Sequence, residues 1–255
     1  MQKIVSIAPD NDLVFIYIPA GEFIMGENKT VYVEGFWMSK YPITVNNFFE
    51  FIKETKYITA SEKSGYSDVS TGILERASVK GANWRNPKGI HGSLPFPNKD
   101  NHPVTHIDHN DALRFCQWLS KKCSMKARLP LEEEWEKASR GVDGRIFPWG
   151  THGIHIDILQ EKCNCYFKEG DTTPVGTYSP EGDSPYGVSD MAGNVFEWTT
   201  TRMLQGSVDK KIPWYVFRGG SYASDFDPLL CWSSCGGVEC LTGSNLGFRI
   251  CSTTL

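Results

Sequence analysis

The sequence predicts an α+β fold: two or three helices, a small antiparallel sheet and extensive ordered loops. Three observations predict it. Amphipathic runs with helix-cap signals occur near residues 45, 110 and 132. The other apolar segments are short and bounded by Gly, Pro and Ser. No strand–helix–strand rhythm appears, which argues against a parallel doubly wound sheet.

In chain order, Leu13–Ile18 (LVFIYI) is a short apolar run ended by PAGEF, as in a buried strand followed by a turn. EFIMGE gives a second strand that ends at Gly26. VYVEGFWMSKY gives a third, rich in β-branched and aromatic residues. Thr44 is placed to cap a helix over VNNFFEFIKET, with Phe48, Phe51 and Ile52 on one face. Residues 58–103 hold many turn formers and little periodicity, so they read as a long irregular excursion. HIDHNDALRFCQWLSKKC predicts a second helix, capped by Asp108 or Asn110, with Ala112, Phe115, Cys116 and Leu119 inward. RLPLEEEWEKASRG predicts a third. Pro130 pre-sets its start, Glu132, Glu133 and Glu134 favour the positive end of the helix dipole, and Arg140–Gly141 closes it. After Arg145 the pattern is short segments and turns.

The 255 residues carry a formal charge of −4, with 40% hydrophobic and 22% charged residues. That composition is globular, and it gives no electrostatic reason to expect nucleic acid. No apolar run approaches the roughly 18 residues of a membrane span, so no membrane insertion is expected, and no signal peptide is read at the start. Eight cysteines are present without a CxxC pair, so neither a compact disulfide framework nor a Cys-ligated metal site is indicated. The spaced histidines His106/His109 and His152/His155 read as loop residues rather than ligands.

The motifs IPAGEFIMG, KYPITVNNFFEFI, GANWRNPKG, HPVTHIDHNDALRFCQWL, RLPLEEEWEKASRG, FPWG, TTPVGTY, YGVSDMAGNVFEWT, FRGGSY and NLGFR occur in that order. From Leu13 to Ile250 they resemble the formylglycine-generating enzyme (sulfatase-modifying factor) family. The resemblance implies a single domain over residues 1–255 with a variant of the C-type lectin fold. Family chemistry uses two cysteines after the GGS turn, which bind copper(I) and exchange with a substrate thiol. Here those positions are Ser224 and Leu229, so no copper is expected. Leu has no ligand atom, and a hydroxyl suits a soft ion poorly. The alternative is an oxidoreductase of the same type that uses a shifted thiol such as Cys231.

The resemblance also implies a structural calcium site on DMAGNVFEW, through the side chains of Asp190 and Glu197 and the carbonyls of Gly193 and Val195. Two anionic oxygens on a tight turn suit that ion. A second family site near Asn164 is degraded.

Family members that lose the cysteines include the variable proteins of diversity-generating retroelements, whose rewritten stretch lies between the GGS turn and the final GFR. Residues 222–244 occupy that interval. Lys and Arg are absent from Gly219 to Phe248, and the composition fits randomised asparagine codons except at Trp232 and Glu239. The resemblance implies a ligand-binding surface at Ser224, Asp225, Phe226, Pro228, Leu229, Ser233, Cys235, Gly237, Val238, Leu241, Gly243 and Ser244. Phe226, Leu229 and Leu241 are expected to be exposed, Tyr222 and Trp232 buried. The partner would be an unidentified protein or cell-surface ligand, and the location a cell surface or virion; otherwise the chain would be cytoplasmic.

Overall fold

The computed structural model describes residues 1–89, 99–151, 154–203 and 212–255. His152, half of one histidine pair, lies outside them.

The N-terminal third builds most of a five-stranded sheet. β1 (Gln2–Ala8) and β2 (Asn11–Ile18) form a hairpin, and β5 (Phe36–Ser39) pairs with the far edge of β2. β8 (Ala127–Arg128) and β13 (Cys251–Ser252) complete the order β1-β2-β5-β13-β8. The run VYVEGFWMSKY therefore splits at Glu34–Gly35. Its first half is β4 (Lys29–Val33), paired with β3 (Gly21–Met25) in a separate two-stranded sheet. A Cβ at Gly35 would lie 2.3 Å from the Tyr17 hydroxyl, so only glycine fits this crossing.

The three expected helices are present. α1 (Val45–Thr55) starts at Thr44, whose Oγ1 accepts the Asn47 N–H while Asn47 Oδ1 accepts the Thr44 N–H. α3 (His109–Cys123) is capped by Asp108 in the same reciprocal way, with Asp111 as partner. α4 (Glu132–Arg140) ends at Gly141, with φ of 72°. Two short helices add to these: α2 (Ala60–Ser64) and α5 (Ile156–Lys162).

α1, α3 and the aromatic layer between them make the main core. Phe48, Phe51, Phe115, Trp118, Trp84 and Phe248 meet edge-on, tilted or stacked at centroid separations of 5.3–6.4 Å. α4 carries an unusual share of buried charge. Lys137 Nζ donates to the Pro19 and Gly21 carbonyls at 2.8 Å, tying β3 to the helix. Glu136 accepts the Gly26 N–H and an Arg218 N–H, each at 2.6 Å. Arg140 donates to the carbonyls of Ile24, Gly26, Gly144 and Arg145. Loops that lack a ladder are thus held by side chains that satisfy their backbone groups.

The C-terminal part is a four-stranded sheet, order β11-β10-β9-β12: β9 (Phe196–Arg202), β10 (Trp214–Arg218), β11 (Ser234–Val238) and β12 (Leu246–Gly247). The expected irregular excursion contains α2 and a hairpin of β6 (Tyr66–Gly72) and β7 (Glu75–Lys80). Its residues are mostly polar and part-exposed, so no hydrophobic alternation marks them. No helix among the described residues is long and apolar enough to cross a membrane.

Candidate functional site

The hairpin β6–β7 leans on the segment that follows the GGS turn. Leu74 N–H donates to the Ala223 carbonyl (3.2 Å), Ser70 N–H to Ser244 Oγ (2.9 Å), and Ser244 N–H to the Asp68 carbonyl (2.9 Å). Between hairpin and segment lies a cleft of about 230 Å³. Its walls are Leu74, Phe196, Phe217, Leu241 and Leu246; Ser70, Ala223, Ser224, Thr242, Gly243 and Asn245 line it too, with Asp68, Glu75 and Arg76. The hairpin residues were not among the expected site residues.

The expected recognition residues divide in two. Asp225, Phe226, Pro228, Ser233, Cys235, Val238 and Leu241 are half-exposed, and Asp227, Ser234 and Cys240 are exposed. Ser224, Leu229, Gly237, Gly243 and Ser244 are buried; for Leu229 this corrects the expected exposure. Leu229 (0% exposed) packs with Phe147, Leu159, Cys163, Cys165 and Ala192. Ser244 Oγ meets the Tyr222 hydroxyl at 2.7 Å. A Cβ at Gly237 would come within 2.7 Å of Leu241 Cδ2. The Gly243 carbonyl accepts the His106 and Leu246 N–H groups. Ser224 and Gly243 still line the cleft from below. Phe226 leans edge-on against Phe147. Tyr222 is buried as expected, whereas Trp232 is half-exposed under the Arg140 guanidinium, 5.0 Å from its centroid.

The thiols nearest the segment are poor nucleophiles. Cys231 is fully buried, Ser139 Oγ donates to its sulfur at 3.2 Å, and burial pushes the thiol up to about 12. Burial also raises Cys235. Both stay protonated near neutrality, where the thiolate is the reactive form.

His106 and His109 serve separate partners. His106 Nδ1 lies 2.7 Å from Ser67 Oγ and Nε2 3.1 Å from the Pro87 carbonyl. His109 Nε2 contacts the Thr199 carbonyl at 3.0 Å, and its ring stacks on Tyr215. Burial pushes His106 down to about 3 and His109 to about 4, so both are neutral.

At the DMAGNVFEW turn, Glu197 is fully buried. Its Oε2 accepts from Trp135 Nε1 (2.7 Å) and Arg249 Nε (2.6 Å), and its Oε1 from Arg249 Nη2 (2.8 Å). Arg249 also donates to the carbonyls of Ser39, Lys40, Ser189 and Asp190. The guanidinium supplies at this turn the positive charge that calcium would bring. Asp190 Oδ2 accepts the Gly176 N–H at 2.7 Å, and burial pushes its enclosed carboxyl up to about 6. No group of three or more His, Cys, Asp or Glu among the described residues is placed to hold a metal ion. Both carboxylates of the expected site are thus already engaged by protein donors. Millimolar calcium or chelator is expected to leave the melting temperature unchanged; a calcium-dependent rise would contradict this.

A pH effect follows from the same carboxyl. Asp190 has a folded-state pKa above its unfolded value of about 4, so its contribution to stability is full below pH 4 and is lost as pH rises through about 6. Asp190→Asn is expected to lessen the fall in melting temperature between pH 4.5 and 7.5, leaving the part due to Asp111, whose buried carboxyl is pushed up to about 7.

The sulfatase-modifying factor enzyme 1-like domain model matches residues 7–254. The mouse formylglycine-generating enzyme is 33% identical, over 91% of this chain and 73% of its own length. The bovine inactive C-alpha-formylglycine-generating enzyme 2 is 31% identical, over 93% of this chain and 87% of its own. Treponema denticola variable protein 1 shares the fold, with a TM-score of 0.68, 18% identity and coverage of 99% of both chains. Relatives named as enzymes and as inactive forms thus both align along most of this chain, which belongs to the sulfatase-modifying factor enzyme 1-like domain family.

Proposed function

We propose that this chain is a non-catalytic ligand-binding protein. A frame of buried aromatic and charged side chains holds up the part-exposed face of residues 222–244 beside the cleft. The observation that carries this reading is the state of the two positions where the family resemblance puts its thiols. One holds a hydrogen-bonded serine, Ser224, and the other a leucine sealed in an apolar cluster, Leu229. The shifted-thiol alternative lacks support, because Cys231 is enclosed and protonated. The fold shared with a protein named as variable favours a diversified, receptor- or adhesin-like display, with an unidentified protein or cell-surface ligand as partner. A near-copy of the codons for residues 222–244 beside a reverse transcriptase gene, differing only at adenines, is the expected genomic companion.

The test of the non-catalytic reading is direct. Incubated with copper(I), air and a cysteine-containing peptide, the protein is expected to leave the peptide unconverted. Iodoacetamide at neutral pH should label the exposed Cys240 well before the buried Cys231. Formylglycine formation that disappears in Cys231→Ser would overturn the proposal.

A further inference from the structure

We propose that Ser224 presents an oriented hydroxyl donor at the floor of the cleft, which therefore takes a small neutral apolar ligand with a carbonyl-type acceptor at its buried end. This rests on the ligand-binding reading above and narrows it to a chemical class.

Proton accounting leads there. A serine hydroxyl has one proton to donate and two lone pairs to accept. Ser221 Oγ accepts the Ala223 N–H at 3.3 Å and an amide N–H of Asn245 at 3.2 Å, which fills both lone pairs. Ser221 Oγ and Ser224 Oγ lie 3.2 Å apart, and with both Ser221 lone pairs filled we assign Ser221 as the donor between them. Ser224 Oγ also accepts the Ser221 N–H at 3.0 Å, so its lone pairs are filled in turn. The Ser224 proton is left without an acceptor from the described residues. Ser224 is 1% exposed yet lines the cleft. A buried donor left unmatched is unfavourable, and a ligand oxygen at the floor relieves it.

The rest of the cleft sets the ligand's body. Phe196, Phe217, Leu241 and Leu246 are apolar and call for a ring or branched chain. The volume of about 230 Å³ lies below the roughly 300 Å³ at which drug-sized pockets begin. The group accommodated is therefore about as large as one substituted ring. Of the two lining carboxylates, Asp68 pairs with Arg76 at 3.7 Å and Glu75 is exposed to solvent, so neither places a charge at the buried end.

Acetophenone and α-methylstyrene are matched probes: the shape is the same, with a methylene in place of the carbonyl oxygen. Binding is read from amide shifts of Ala223, Leu241 and Gly243 in a ¹H–¹⁵N titration. Acetophenone is expected to bind about tenfold more tightly, as one well-placed donor requires. In Ser224→Ala the preference should fall to within about twofold; Ser224→Cys, slightly larger and a weaker donor, should give an intermediate value. The two variants together keep the test readable should one lower the melting temperature. Equal affinities for the unaltered protein, a preference that survives both substitutions, or no shift at the cleft would each overturn the inference. None of these results bears on the peptide-oxidation test, so the two proposals fail separately.

Discussion

Arg249→Met is expected to destabilise the fold by about 3–5 kcal/mol, the range for removing one partner of a buried ion pair. Arg249 and Glu197 are both fully buried and joined by two charge-assisted bonds of 2.6 and 2.8 Å. The guanidinium also donates to four backbone carbonyls in two segments, Ser39–Lys40 and Ser189–Asp190, so its loss strands acceptors as well as the carboxylate. For a chain of this size the melting temperature should fall by roughly 10 °C. The double variant Arg249→Met with Glu197→Gln should recover part of the loss, because no unpaired charge then remains inside. A fall of only one or two degrees in the single variant would show that this pair does not hold the loops together.

Leu229→Ala is expected to cost about 2–5 kcal/mol, as for a leucine removed from a closed cluster. The residue sits among Phe147, Leu159, Cys163, Cys165 and Ala192, and the chain passes over it at Gly220. By contrast, Ser234→Ala and Cys240→Ser should change stability by no more than about 0.5 kcal/mol, since both are exposed. Urea unfolding of the three variants measures the contrast. It separates the frame from the displayed face inside one stretch of sequence.

The parts of the fold legible in the sequence were those with a strong local signature. Thr44 and Asp108 announce α1 and α3 because a capping box needs particular side chains three residues apart. The hairpin β6–β7 was not legible: its strands are mostly polar and half-exposed, so periodicity has nothing to register. It forms one wall of the cleft, and the site was only partly foreseen for that reason. The buried positions inside 222–244 escaped for another reason. Leu229, Ser244 and Gly237 are held by contacts with residues distant in sequence or across a turn, and no spacing within the segment reveals them. Glu197 was expected as a calcium ligand; the partner it has in the fold, Arg249, lies 52 residues downstream, where no local spacing links the two.

The central claim is that a fixed frame carries a face whose side chains are free to change. Its most direct measurement is protease resistance across a displayed library with Asp225, Phe226, Ser233, Ser234, Cys235 and Val238 randomised together. Most members should stay as resistant as the parent, while a matched library at Ser221, Tyr222, Leu229, Cys231 and Ser244 should lose resistance almost throughout. Equal loss in both libraries would contradict the claim.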